Sequence, residues 1–220
     1  LEYGEALKII GGLSNTSKMP AYSWSISAEL CITGAKLQSI EGTVCHDCYA
    51  LKGFYRMDNV KEAHTRRLAA LDHPDFINAF VEVLSTTYGR MRKTLKDGSR
   101  ENRFRWLDSG DLQSVTMLAQ IDEIARRTPH INHWLPTREI QIVKQFLKER
   151  GEFASNLTVR VSSVSVGVKP KRSPLGLPFA TVGIDHDISL NQCPALASQD
   201  GKCLDCNACW TSKNVNYPLH

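Results

Sequence analysis

At 220 residues and 42% hydrophobic content, the chain can bury one good-sized core and has room for a second domain only if that one is small. No stretch of about 18 apolar residues is present to cross a membrane, and the opening LEYGEALKIIGG lacks the basic-then-apolar build of a secretory signal, so a cytoplasmic location and no membrane partner are expected. The net charge of +4 is scattered over HTRRL, RMRK, ENRFR, ARR and VKPKR, which reads as solvated faces and leaves nucleic-acid binding as a minor alternative.

In chain order, YSWSI (Tyr22 to Ile26) reads as a short first strand, followed by a long loop that carries Cys31, Cys45 and Cys48. Helical spacing appears from Val60 to Leu71, and again after Pro74 through Phe76, Phe80, Leu84 and Tyr88. RFRWLDSGD is a strand ending in a small-residue turn. Ser114 then stands as N-cap of a helix bearing Val115, Leu118, Ile121 and Ala125, ended by Pro129. INHWL is a strand broken by Pro136, and a helix from Glu139 to Arg150 stops at Gly151. LTVRVSSVSV (Leu157 to Val166) is a β-branched strand.

Strand, helix, strand, helix, strand at this spacing predicts parallel βαβ units, hence an α/β fold shaped as an open or partly closed barrel. Gly167 to Leu190 reads as a Pro/Gly-rich loop crossing one face. The GIDHD stretch (Gly183 to Asp187) reads as a turn with exposed charges. Two parts are expected: a partial barrel over 1–190, and a cysteine-rich segment over 191–220 too small for its own core and stitched to the barrel by metal.

Seven cysteines make an odd number that suits a complete disulfide framework poorly. Their close spacing points to metal or redox chemistry. Cys193, Cys203, Cys206 and Cys209 form one set, the last three in repeated C-x2-C spacing that aims consecutive sulfurs at one centre. Four thiolates suit a 4Fe–4S cluster or, as the alternative, tetrahedral zinc. Cys31, Cys45 and Cys48 form the other; three cysteines on a cubane leave one iron open to a ligand. His46 inside the CHDC turn points elsewhere on this reading. Three plus four favours two sites over one shared site. Trp24, Trp106 and Trp134 read as core, while Trp210 and Tyr49, each directly after a cysteine, can shield a cluster from solvent. P-loop, dinucleotide, HExxH and GxSxG motifs are absent from the sequence, which moves the reading away from the common ATPase, dehydrogenase and hydrolase classes.

SWSIS before Cys31, GTVCHDCYALKGFY, DSGDL, WLPTR and the terminal CPA…GKCLDCNACW together resemble radical S-adenosylmethionine (radical SAM) proteins. More closely, they resemble the phage gene product 88 family. The resemblance implies a small radical SAM-like partial barrel with a cysteine-rich C-terminal extension. A 4Fe–4S cluster on Cys31, Cys45 and Cys48 would bind SAM through its open iron and cleave it with one electron. It implies that Ser109, Gly110 and Asp111 meet the SAM amino group, and that Thr137, Arg138 and Arg160, on later strands, meet SAM or substrate. The bland alternatives are a helix cap for Asp108 or Asp111 and a sheet-face pairing for Arg160. The four C-terminal thiols would hold a structural or electron-transfer centre. The sequence departs from the radical SAM pattern in placing thirteen residues, rather than three, between the first two cysteines. It also shows fewer βα units than a six-stranded partial barrel needs. Function is left open between a radical SAM enzyme with a small-molecule or peptide substrate and an electron donor, a non-catalytic iron–sulfur protein, and a zinc-stabilised nucleic-acid-binding protein. A phage origin would put it in the host cytoplasm.

Overall fold

The computed structural model describes residues 1–20, 22–184 and 186–219. Asp185 of the expected GIDHD turn lies outside the described residues. Among those described, no helix is long and apolar enough to cross a membrane.

The centre of the fold is a seven-stranded parallel sheet. Its strands are β1 (Ser23–Trp24), β2 (Arg103–Trp106), β3 (Asn132–Thr137), β4 (Leu157–Ser162), β5 (Phe179–Val182), β6 (Asn191–Gln192) and β7 (Val215–Tyr217). They lie in the order β1-β2-β3-β4-β5-β7-β6, from β1 at one edge to β6 at the other. The helices of six residues or more are α1 (Tyr3–Ile9), α2 (Ile32–Leu37), α3 (Asp58–Ala70), α4 (Phe76–Arg90), α5 (Val115–Arg127) and α6 (Ile140–Arg150). Helix α4 packs between α1 and α5, and α5 packs on α6.

Alternation along the strands sorts the two faces. In β2, Phe104 and Trp106 join the main core with Leu135 of β3 and Leu157 and Val159 of β4. The rings of Trp24, Phe76, Phe80, Phe104 and Trp106 interlock there, Phe80 and Trp106 at 4.7 Å between centroids. Each such side chain, fully buried, contributes about 1.5–3 kcal/mol. Arg103 and Arg105, Trp134 and Arg160 alternate with these core residues and take the opposite face. There Trp134, Trp210 and Cys209 form a second, smaller apolar cluster with Met19 and Tyr217. One face therefore carries the helices and the other carries cations, aromatics and the C-terminal cysteines.

The helices begin and end where their local chemistry dictates. The Ser114 hydroxyl accepts the Met117 N–H at 3.0 Å, the N-cap expected for α5. Gly151 closes α6 at φ 85°, a left-handed conformation that glycine adopts without strain.

Three expectations need correction. Pro136 does not end its strand: β3 runs through it to Thr137. Asn132 turns its N–H toward β2 and His133 toward the β4 side, so by alternation the nitrogen of Pro136 faces β2. The β2–β3 pairing stops at Trp134, and the missing proline N–H therefore breaks no ladder bond. The segment Gly167 to Leu190 is not loop throughout, because it contains β5. Finally, the stretch after β1 that carries Cys31, Cys45 and Cys48 is not loop throughout, because it contains α2. Sequence periodicity misses β5, β6 and β7, which are four, two and three residues long. Residues 191–219 contribute two strands to the common sheet, with β7 between β5 and β6.

Candidate functional site

The three N-terminal thiols are brought together above the C-terminal ends of β1 to β4. Past β1 the chain makes a 3-10 turn at Ala28–Leu30, and Cys31 stands as the N-terminal flanking residue of α2. That helix has no side-chain cap of its own. The Glu139 carboxylate at the end of β3 supplies one, accepting the Thr33 N–H at 2.7 Å and the Thr33 hydroxyl at 2.8 Å. The loop then folds back. The Thr43 hydroxyl is within 2.8 Å of the Leu37 and Ile40 carbonyls, and the Val44 N–H donates to the Val164 carbonyl just beyond β4. Cys45 is thereby buried. A Cβ placed on Gly34 would lie 3.6 Å from the sulfurs of both Cys31 and Cys45, and 2.9 Å from the Cys31 Cβ, so glycine is required where the two thiols approach. Cys48 opens a 3-10 turn, Tyr49–Leu51.

Burial pushes the Cys31 thiol up to about 12, helped by the negative charges of Asp111, Cys48, Cys45 and Glu139. Burial also raises Cys45, while the Arg138 guanidinium opposes the rise. Cys31 and Cys45 thus share one charge environment, in which a thiolate is costly without a cation beside it. His46 is exposed and bonds the Gln38 carbonyl at 2.9 Å, away from that centre.

Beyond β2 the chain turns sharply at Ser109-Gly110-Asp111. Gly110 has φ 76°, and a Cβ there would meet the Ile26 carbonyl oxygen at 2.8 Å, so backbone contact with the β1 exit excludes any side chain. Asp111 is not a helix cap. One carboxylate oxygen accepts the Thr137 hydroxyl at 2.5 Å and the Leu112 N–H at 2.8 Å; the other accepts the Arg138 N–H at 2.9 Å. It binds the end of β2 to the end of β3. Burial nevertheless lifts its pKa to about 6. The Arg138 guanidinium donates to the Ser163 carbonyl at 3.0 Å beside the Cys45 loop. Asp108 is different. Its Oδ2 accepts from Tyr55 at 3.1 Å and its carbonyl from Tyr49 at 2.6 Å, but its buried Oδ1 and the neighbouring Ser109 hydroxyl have no partner among the described residues. Behind them, Arg67 and His64 contact Ser25, and the His64 ring stacks on Tyr55.

The four C-terminal thiols form a separate group on the other sheet face. Cys193 follows β6, its N–H held by the Asn216 carbonyl, and the Cys203 N–H donates to the Lys18 carbonyl. Arg103, paired with Glu101 at 2.7 Å, donates to the carbonyls of Cys206 and Leu204. Arg160 donates to the carbonyls of Ala208, Cys209 and Thr211. The sequence-predicted Arg160 thus lies under the cysteine loop, on the sheet face rather than at the Asp111 turn. Cys209 is buried, and its thiol is pushed up to about 11 by that burial, against the Tyr217 hydrogen bond and the Arg160 charge. Burial also raises the Cys203 thiol, with the charges of Cys193 and Cys206 adding to the rise and those of Arg105 and Arg103 opposing it. Among the described residues, no three His, Cys, Asp or Glu side chains are arranged to close on a single metal ion.

Arg105 stands between the two groups. Its guanidinium lies 4.6 Å over Trp134 and reaches the Tyr49 hydroxyl at 3.5 Å, while Trp134 meets Trp210 at 5.1 Å. Sequence reasoning missed Arg103, Arg105, Glu139 and Tyr217. A signal for the first two was there: in RFRW the arginines alternate with aromatics, which puts both cations on one sheet face. Glu139 and Tyr217 carry no comparable mark.

A parallel sheet with helices on one face and two groups of free cysteines, one at its strand ends and one on its other face, defines a cysteine-rich α/β protein. The model of the Gene product 88 family matches residues 4–212, and the chain belongs to that family. Comparison with curated proteins and with solved structures gave no match.

Proposed function

We propose that this protein is an iron–sulfur protein of radical SAM-like build. On this reading Cys31, Cys45 and Cys48 hold a 4Fe–4S cluster with one iron free for S-adenosylmethionine, and Cys193, Cys203, Cys206 and Cys209 hold a second, closed centre. The sheet is then the wall of a partial barrel. The observation that carries the reading is the arrival of Cys31, Cys45 and Cys48 beside one another at the C-terminal ends of β1 to β4, where α/β folds place their chemistry.

The donor set fits such a group. Three soft thiols suit an iron–sulfur cluster, and the unpartnered Asp108 Oδ1 and Ser109 Oγ offer hydrogen-bonding atoms at the adjacent strand end. When bound, a cluster with SAM supplies one-electron cleavage of the sulfonium. The chain's own residues do the positioning. Glu139 fixes the helix at Cys31, Arg138 places a positive charge near Cys45, and Gly34 lets the two sulfurs approach. Asp111, with both oxygens engaged, locks β2 to β3, and the ammonium-binding role passes to Asp108.

Anaerobic reconstitution tests this directly. Iron and sulfide are counted per chain, electron paramagnetic resonance is recorded with and without SAM, and dithionite is added before chromatography of the nucleoside products. About eight irons per chain, a SAM-dependent spectral change and release of 5′-deoxyadenosine or methionine support the proposal. A cluster indifferent to SAM moves the function to a non-catalytic iron–sulfur protein. Colourless protein that binds zinc and DNA moves it to a nucleic-acid-binding one.

A further inference from the structure

Of the four tryptophans, three give their indole N–H to a protein acceptor: Trp24 to the Ile10 carbonyl, Trp106 to His133 and Trp210 to the Phe104 carbonyl. The Trp134 indole nitrogen is shielded from solvent and has no acceptor among the described residues. Its cross-strand neighbour repeats the pattern. Arg105 and Trp134 are paired in register between β2 and β3, and the guanidinium lies 4.6 Å over the indole ring. Arg105 Nε is likewise shielded and without an acceptor.

The two other arginines of this sheet face are better satisfied. Arg103 has the Glu101 carboxylate, and Arg160, whose Nε is also unpartnered, makes five bonds to carbonyls through its terminal nitrogens. Arg105 has no carboxylate within ion-pair distance among the described residues. Its two contacts are both at 3.5 Å, Nη1 to the Met19 sulfur and Nη2 to the Tyr49 hydroxyl. A thioether is a weak acceptor, and a shielded donor without a good one is costly. Two adjacent donors therefore lack the same thing, which an oxyanion supplies. A carboxylate matches the guanidinium fork with two oxygens. It also suits the setting better than a dianion does, because Asp108 adds a negative charge at the end of the same strand and the surrounding Met19, Trp134 and Trp210 are apolar.

Met19 covers the place. It is half-buried against Trp134 and Trp210, and an unbranched side chain with three rotatable bonds can leave by changing rotamer. The Tyr49 edge is open: that residue is 56% exposed, and its hydroxyl stands between Arg105 and the Asp108 carbonyl.

We propose that Arg105 and Trp134 form a binding subsite for the carboxylate of a small ligand, on the sheet face between the two groups of cysteines, and that Met19 closes it in the ligand-free protein. The ligand carboxylate displaces the Met19 thioether and accepts from the guanidinium and the indole N–H. The subsite goes beyond the cluster reading and stands without it, since none of its groups is a thiol.

The test uses the full-length, reduced, 15N-labelled protein without added iron. Sodium butyrate, a carboxylate on a short apolar stem, is the probe; sodium chloride and inorganic phosphate at equal ionic strength are the controls. The Trp134 indole and Arg105 Nε–H resonances are assigned by their loss in Trp134→Phe and Arg105→Lys. Both are expected to shift with butyrate along one saturating curve while the Trp24 and Trp106 indoles stay in place. Arg105→Lys keeps the charge and removes the fork, and is expected to weaken butyrate binding about 10-fold, read at Trp134. Met19→Ala removes the cover and is expected to tighten it about 5–10-fold, read at both resonances. The proposal is overturned if neither resonance responds to butyrate, or if chloride or phosphate shifts them as strongly. Equal affinity in Met19→Ala and wild type overturns it too, and that variant decides the matter even if Arg105→Lys fails to fold. A chain that reconstitutes no cluster and cleaves no SAM is still expected to give the butyrate shifts, so the two readings fail separately.

Discussion

Glu139 grips Thr33 twice, at its backbone N–H and at its hydroxyl, across 106 residues of sequence. Through that grip the turn bearing Cys31 is positioned by the end of β3, not by its own loop. Glu139→Ala leaves both Thr33 groups without an acceptor and is expected to cost about 2 kcal/mol in urea unfolding. Iron retention should fall with it if the Cys31 sulfur loses its place. A variant with unchanged stability would show that the clamp carries no load.

Glycines at two positions make opposite predictions. Gly110→Ala forces a Cβ to 2.6 Å from the Ile26 side chain at φ 76°, so a loss of about 2–4 kcal/mol is expected from the left-handed backbone and the clash together. Gly89 lies inside α4, and a Cβ added there would have nothing within 4 Å of it. Gly89→Ala should therefore stabilise the protein by about 0.5–1 kcal/mol. Chemical denaturation of both variants measures the contrast.

His133 sets a pH dependence. Its Nδ1 accepts the Trp106 indole N–H at 3.1 Å; its Nε2 lies 2.9 Å from the Thr128 hydroxyl, which itself donates to the Ile124 carbonyl. A second ring proton would face the indole N–H. Burial and the neighbouring His130 hold its pKa down to about 3. The folded pKa lies below the unfolded value of 6.5, so the unfolded chain takes up the proton first. Its contribution is intact above pH 6.5 and is lost as pH falls toward 3, with a limiting slope of about 1.4 kcal/mol per pH unit. Asp111 acts in reverse: its pKa, raised to about 6 from 3.8, makes its ionised form a burden above pH 6 that is relieved between 6 and 3.8. Subtracting the His133→Gln stability curve from the wild-type curve isolates the histidine. Parallel curves between pH 6.5 and 4 would refute this assignment.

Asp108 and Asp111, three residues apart, should separate binding from stability. Asp111→Asn puts an amide among the Leu112, Thr137 and Arg138 donors, and a destabilisation of about 1–3 kcal/mol is expected. Asp108→Asn keeps an oxygen for Tyr55 and removes the charge at the unpartnered position. It should leave unfolding within about 0.5 kcal/mol of wild type and weaken SAM binding to the reconstituted protein about 10-fold, as calorimetry would read. The opposite assignment, with Asp111→Asn selectively losing SAM, would restore the role first expected for Asp111.

Helices α3 to α6 were legible because each is long and its apolar spacing repeats; α4 and α5 begin after Pro74 and at Ser114 as the sequence predicts, while α1 and α2, seven and six residues long, were not legible. The strand β3 was legible except at its end, where Pro136 reads as a breaker until the neighbouring ladder is known to have stopped. The short strands β5 to β7 were not legible, since two to four residues hold no period.

The sequence by itself determined the succession of parallel βα units, because helical and strand periodicity are local. It also determined the two sets of cysteines, because close spacing is a property of the chain. The tertiary structure decided which side chains surround the thiols. Glu139, Arg103, Arg160 and Tyr217 reach the cysteine turns across intervals that no spacing rule spans. It also decided that Asp111 joins β2 to β3 while Asp108 keeps an oxygen unpartnered. Hydrogen-bond partners are assigned by packing in space, and two aspartates in one turn are distinguished only by what folds against them.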